Sequence, residues 1–135
     1  MHYQDARFEA FSGCRWQVKL VLAEKQEIVA VITNESVEHL RLQVGSETFA
    51  IIKAPLVIIA KGEPDMKFST RNILEGTVRH VESGTVNAEV SLELAGGVML
   101  HAIITKASVL GMGLKAGDTA TALFKASTVI LAVRV

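Results

Sequence analysis

Two pairs of hydroxyls and two lysines recur in this chain at one spacing. Thr33 and Ser36 stand three positions apart with Lys53 twenty residues beyond the threonine, and Thr105, Ser108 and Lys125 repeat the arrangement. A threonine closing an apolar strand and a serine at the third position of a short helix place two hydroxyls beside backbone N–H groups that have no partner within the helix. Such a cluster offers donors to an anion. Each lysine ends an apolar run, where an ammonium group is costly unless it meets negative charge, and an oxyanion supplies that charge. Thr-x-x-Ser at a helix start is also an ordinary cap, and a strand-end lysine is ordinarily solvated; it is the recurrence of the whole set that favours a ligand. A third donor group, Ser69-Thr70-Arg71-Asn72, precedes the second copy, where an arginine fork and adjacent N–H groups can point at a tetrahedral dianion.

The elements that must position these residues are themselves repeated. With an offset of 72 and no gap, residues 18–60 match residues 90–132 at 17 of 43 positions, among them Val18, Leu20, Leu42, Gly45, Ala54 and Val57. The chain is therefore two copies of one module, with boundaries expected at 1–60 and 67–135 and a linker at 61–66, where Gly62 and Pro64 interrupt the pattern. Val86, Ala88, Val90, Leu92 and Leu94 alternate as a half-buried strand does, as do Val18, Leu20 and Leu22. Gly96-Gly97 turns the chain into a strand at 98–104. Further strands are expected at 73–81, 47–53, 56–59, 119–125 and 128–133. Segments 34–40 and 106–110 have room for a turn or two of helix, closed by Gly45 and Gly117. About five strands and one short helix per copy predict an all-β protein of two tandem, small OB-like barrels. Modules this small bury little surface alone, so packing of the copies on each other and on further subunits is expected.

Composition narrows the function. Fourteen basic and fourteen acidic residues leave no net charge to draw in a nucleic-acid backbone or an anionic membrane. With only Trp16, Tyr3 and five Phe, the aromatic platforms of a single-strand binder are also wanting. The apolar runs are too short to span a bilayer, and no basic, apolar leader opens the chain. Cys14 has no second cysteine to pair with, which fits a reducing cytoplasm; it is expected to pack near a strand start. His2, His39, His80 and His101 are dispersed without metal-ligand spacing and read as surface or packing residues, so neither catalysis nor a side-chain metal site is expected. Segments long enough for a helix-turn-helix are absent from the pattern.

Several strings together resemble a known family: Ser69-Thr70-Arg71-Asn72-Ile73-Leu74-Glu75-Gly76-Thr77-Val78, Ser83-Gly84-Thr85-Val86-Asn87-Ala88-Glu89-Val90, Ile104-Thr105-Lys106-Ala107-Ser108-Val109 and Lys125-Ala126-Ser127. They are similar to the molbindin, or Mop, module, which also forms the C-terminal sensing half of the molybdenum-responsive regulator. The second copy matches over nearly its whole length and the first from Val18 to Ala60. The resemblance implies cytoplasmic binding of molybdate or tungstate without any further cofactor, in a homo-oligomer with oxyanion sites at interfaces between modules. It favours a trimer for a tandem store and a dimer for a regulator. The implied ligands are Ser69, Thr70 and Arg71 with Thr33, Ser36 and Lys53, and Thr105, Ser108 and Lys125. The position matching Ser69 in the first copy falls before Met1, so the first module is expected to lack the Ser-x-Arg-Asn segment, and its Asp5-Ala6-Arg7-Phe8 stands too close to Gly13 to replace it. Storage of molybdenum is the function expected, with the effector domain of a regulator lacking its DNA-binding part as the alternative.

Overall fold

The fold was described from a computed structural model, which covers residues 2–3, 6–10, 15–21 and 26–135, with side chains from 15 onward. Cys14 and Leu22, and the side chains of His2, Tyr3 and Arg7, lie outside the described residues. The chain divides into two compact units, residues 1–52 with 125–135, and residues 53–124.

In the first unit β1 (His2–Tyr3), β2 (Ala6–Ala10), β3 (Arg15–Val21) and β4 (Glu27–Thr33) are followed by helix α1 (Asn34–Leu40) and β5 (Thr48–Ile51). The second unit begins with a 3-10 turn, Ala54–Leu56, and β6 (Ile58–Lys61), and continues through β7 (Asn72–Ser83), β8 (Asn87–Leu94), β9 (Met99–Thr105), α2 (Lys106–Met112) and β10 (Thr119–Phe124). A further 3-10 turn, Ala126–Thr128, and β11 (Ile130–Ala132) belong to the first unit. The helices, the 3-10 turns, and β4 and β9 correspond residue for residue at the offset of 72, so the repeat in the sequence is a repeat in structure.

The compact units cut across the repeats. β6 belongs by sequence to the first copy but pairs antiparallel with β10, Ile58 opposite Leu123 and Lys61 opposite Ala120. β11 belongs to the second copy but pairs with β5, Ile130 opposite Ile51. Each copy thus surrenders its last strand and receives the other's. The stretch 61–66 lies inside the second unit, where Gly62 N–H bonds Thr119 O at 2.7 Å and the Thr121 hydroxyl donates to Gly62 O at 2.8 Å.

Alternation sets the cores. In the second unit the strands run in the order β6-β10-β7-β8-β9, and the edge strands β6 and β9 approach each other, curling the sheet on itself. Val78, Val90, Leu92, Leu100, Ala120 and Phe124 fill the inside. The register shifts by one residue between Val78 and His80, a bulge that lets the long β7 bend. In the first unit the sheets β2-β3-β4 and β1-β5-β11 enclose Val18, Leu20, Ile28, Ala30 and Ala50. Because β1 and β2 together occupy the offset positions of β7, each unit has about five strand positions and one short helix, the architecture expected. Val86 falls just outside β8 and is 71% exposed.

The helices end earlier than the glycines at 45 and 117 suggested. α2 stops at Gly113 in the left-handed region (φ 61°), with Leu114 N–H bonded to Val109 O at 3.0 Å and Leu114 buried. α1 stops at the equivalent position with the same bond, Leu42 N–H to Val37 O at 3.1 Å, but the residue is Arg41 at φ 52°. This is the helix stop in which a left-handed residue is followed by a buried apolar one, and the conformation costs a residue with a Cβ roughly 1–2 kcal/mol. Arg41→Gly is therefore expected to raise stability by about 1 kcal/mol, measured by urea denaturation; an unchanged or lowered midpoint would contradict the assignment.

Candidate oxyanion site

Thr33 and Thr105 are the residues at which an extended strand turns into a helix, with φ/ψ of −77°/156° and −74°/148°. Extended backbone at the cap aims each threonine side chain back over the first helical turn. Thr33 Oγ1 accepts the Ser36 N–H at 3.1 Å and donates to Ser36 Oγ at 3.0 Å. Thr105 Oγ1 accepts the Ser108 N–H at 3.0 Å, and the two hydroxyls lie 2.7 Å apart. The cap reading is thus realised in both copies. In the first pair the threonine spends its proton on the serine.

Each pair borders an open recess. In the second unit Thr105, Ser108, Gly111 and Met112 line a recess of about 470 Å³ together with Pro55, Val57, Ile58 and Ile59. In the first, Thr33, Glu35, Ser36, His39 and Leu40 line one of about 430 Å³ with Leu131. Ile59 and Leu131 occupy equivalent positions on β6 and β11, so the exchanged strands form the opposite wall in both.

The same exchange re-sorts the lysines. Lys53 precedes the turn Ala54–Leu56, which packs on β9, whose last residue is Thr105; Lys125 precedes the turn Ala126–Thr128, which packs on β4, whose last residue is Thr33. The lysine sharing a compact unit with Thr105 and Ser108 is therefore Lys53, and the one sharing a unit with Thr33 and Ser36 is Lys125. Spacing along one copy gives the opposite pairing. No carboxylate among the described residues pairs with either ammonium group.

Ser69, Thr70 and Arg71 sit in the turn leading into β7, within the second unit. Thr70 Oγ1 donates to Phe124 O at 2.5 Å and accepts the Asn72 N–H at 3.4 Å. Its hydroxyl proton is spent on the fold, while Ser69 and Arg71 are exposed. Asn72, which sequence reasoning quoted but did not nominate, is fully buried and pairs with Phe124. A fully buried amide at the first position of β7 fits a residue that anchors this turn.

The histidines with described side chains do not converge. His39 lines the first recess, His80 lies 3.9 Å from Glu82, and His101 sits beside Ser91 and Glu89. No group of three metal-ligating side chains occurs among the described residues, and no helix among them is long and apolar enough to cross a membrane.

Comparison with known proteins gives these features a context. The TOBE domain model matches twice, at residues 13–59 and 69–131. The chain is 38% identical to the cytoplasmic molybdate-binding protein ModG in its crystal structure with molybdate bound; the two superpose with a TM-score of 0.91, covering 98% of this chain and 94% of ModG. It is 41% identical over 121 residues to the molybdenum transport protein ModE of Azotobacter vinelandii and 42% identical over 116 to the molybdenum-pterin-binding protein MopA of Rhodobacter capsulatus. These alignments take in 90% and 86% of this chain, which spans 44% of the length of each relative. The duplicated strand order, the paired hydroxyl caps and these likenesses agree: the chain belongs to the TOBE domain family, as two domains in tandem.

Proposed function

We propose that the protein binds molybdate, and tungstate with it, as a non-catalytic store that buffers the oxyanion in the cytoplasm. The observation that carries this reading is the pair of Thr-Ser hydroxyl caps, each facing a recess within a fold that ModG shares over nearly its whole length. The ligands are Thr105, Ser108 and Lys53 in one unit, and in the other Lys125 and Ser36, whose hydroxyl Thr33 orients, with Ser69 and Arg71 from the turn that Thr70 holds in place.

The chemistry suits an unprotonated dianion. Hydroxyl, ammonium and guanidinium groups and backbone N–H all donate, and molybdate at neutral pH has only oxygens that accept. Hydrogen phosphate brings a proton that a pocket without an acceptor, such as the recess beside Thr105 and Ser108 that no carboxylate lines, leaves unpaired, at about 1–3 kcal/mol, or roughly one to two decades of affinity. Sulfate lacks that proton and is refused only by a pocket shaped for the larger ion.

Self-association completes the proposal, as a trimer. Ile58 and Ile130, at equivalent positions of β6 and β11, are 65% and 48% exposed; apolar side chains repeated on the outer strand of each unit support a surface that meets further copies. The test is calorimetric titration of the full chain with sodium molybdate, sulfate and phosphate, alongside its mass in solution. Micromolar or tighter binding selective for molybdate is expected, in a particle of three 14.6-kDa chains. An absence of heat and of thermal stabilisation at millimolar molybdate would refute the binding function, and a dimer would favour the sensing domain of a regulator over a store.

A further inference from the structure

The two recesses are equivalent in fold and differ in charge. At the offset of 72, Asn34 and Glu35 of α1 become Lys106 and Ala107 of α2. The first turn of α1 thus carries one negative charge where the first turn of α2 carries one positive charge. The Glu35 carboxylate is in the wall of the first recess beside Thr33 and Ser36, whereas no carboxylate lines the second. We infer that the two oxyanion sites of the chain are unequal, the one beside Thr105 and Ser108 binding the dianion more tightly, with Glu35 and Lys106 setting the order. The inference rests on the function proposed above.

Two effects add in the same direction. A dianion beside Thr33 meets the like charge of Glu35 in the wall of its recess, whereas no carboxylate lines the recess beside Thr105, and Lys106, next to Thr105 in sequence, adds an opposite charge to that end of α2. The Glu35 carboxylate also stands in the wall of the first recess beside Ser36. Being an acceptor, it offers nothing to the oxygens of an unprotonated oxyanion. His39 lines the first recess where Gly111 leaves the second open, so the first is narrower at that wall as well.

Calorimetry of the full chain with sodium molybdate tests this with two charge exchanges. The unaltered chain is expected to show two classes of site at least about tenfold apart. Asn34→Lys with Glu35→Ala should tighten the weaker class to within about threefold of the stronger, and Lys106→Asn with Ala107→Glu should weaken the stronger class about tenfold. Raising NaCl to about 0.5 M should narrow the gap, because exposed charges are screened. All four positions are at the surface or partly so, and Glu35→Gln alone, which keeps the side-chain shape, should give part of the gain. Equal classes in the unaltered chain, or molybdate binding that both exchanges leave unchanged, would overturn the ranking while leaving the binding function intact. No molybdate heat from any variant would instead defeat the function itself.

Discussion

Gly76→Ala should destabilise the protein by about 3 kcal/mol, measured by urea or thermal unfolding, although it adds a single methyl group. A Cβ at Gly76 would lie 2.5 Å from the carbonyl oxygen of Glu93 and 3.0 Å from Leu92 Cγ. The nearer neighbour is backbone and cannot rotate away. β7 cannot retreat either, because Gly76 pairs with Leu94 on one side and Ala120 on the other. Gly45 makes a useful contrast: nothing lies within 4 Å of its would-be Cβ, and its φ of 89° is the sole obstacle, so Gly45→Ala should cost about 1 kcal/mol. A Gly76 variant within about 1 kcal/mol of the original would mean that the sheet is looser at this crossing than the pairing describes.

The second large effect concerns the lysines. Lys53→Met should weaken molybdate binding at the site served by Thr105 and Ser108 by about 10- to 100-fold, the range of a hydrogen bond to a charged group. The stronger evidence is coupling. In a double-mutant cycle, Lys53→Met should lose much of its effect when Ser108→Ala is already present, and keep it in full on a Ser36→Ala background. Calorimetry reads both. Coupling to Ser36 in place of Ser108 would restore the pairing that sequence spacing suggests and separate the ligand set from the compact units.

That pairing marks the boundary of what could be read from the residues. Alternation located the strands, because Val90 and Leu92 bury on one face for the same reason that they alternate, and the offset of 72 aligned elements that agree residue for residue. The caps were legible because a threonine after an apolar strand and a serine three residues on can bond each other in few ways. The destination of a strand is a different kind of information. Ile58 and Ile130 have the same type and neighbours in either arrangement, and alternation states which side of a strand is buried without naming the strand beside it. The 3-10 turns at Ala54–Leu56 and Ala126–Thr128, which swing those strands across, are three residues long and share no strong signal; only the first contains a proline. Arg41 in a left-handed stop was hidden because glycine, which advertises such a position, is present in the other copy alone.

The exchange of last strands also bears on how the chain is made. A protein of two tandem domains ordinarily completes the first while the second is still being synthesised. Here β5 gains its partner β11 only once residues 125–135 have left the ribosome, whereas β6 through β10 are contiguous in sequence. The segment synthesised later can therefore close first, around β6, while the earlier segment waits with a strand edge open. A nascent chain stalled before residue 125 would expose that edge to its neighbours.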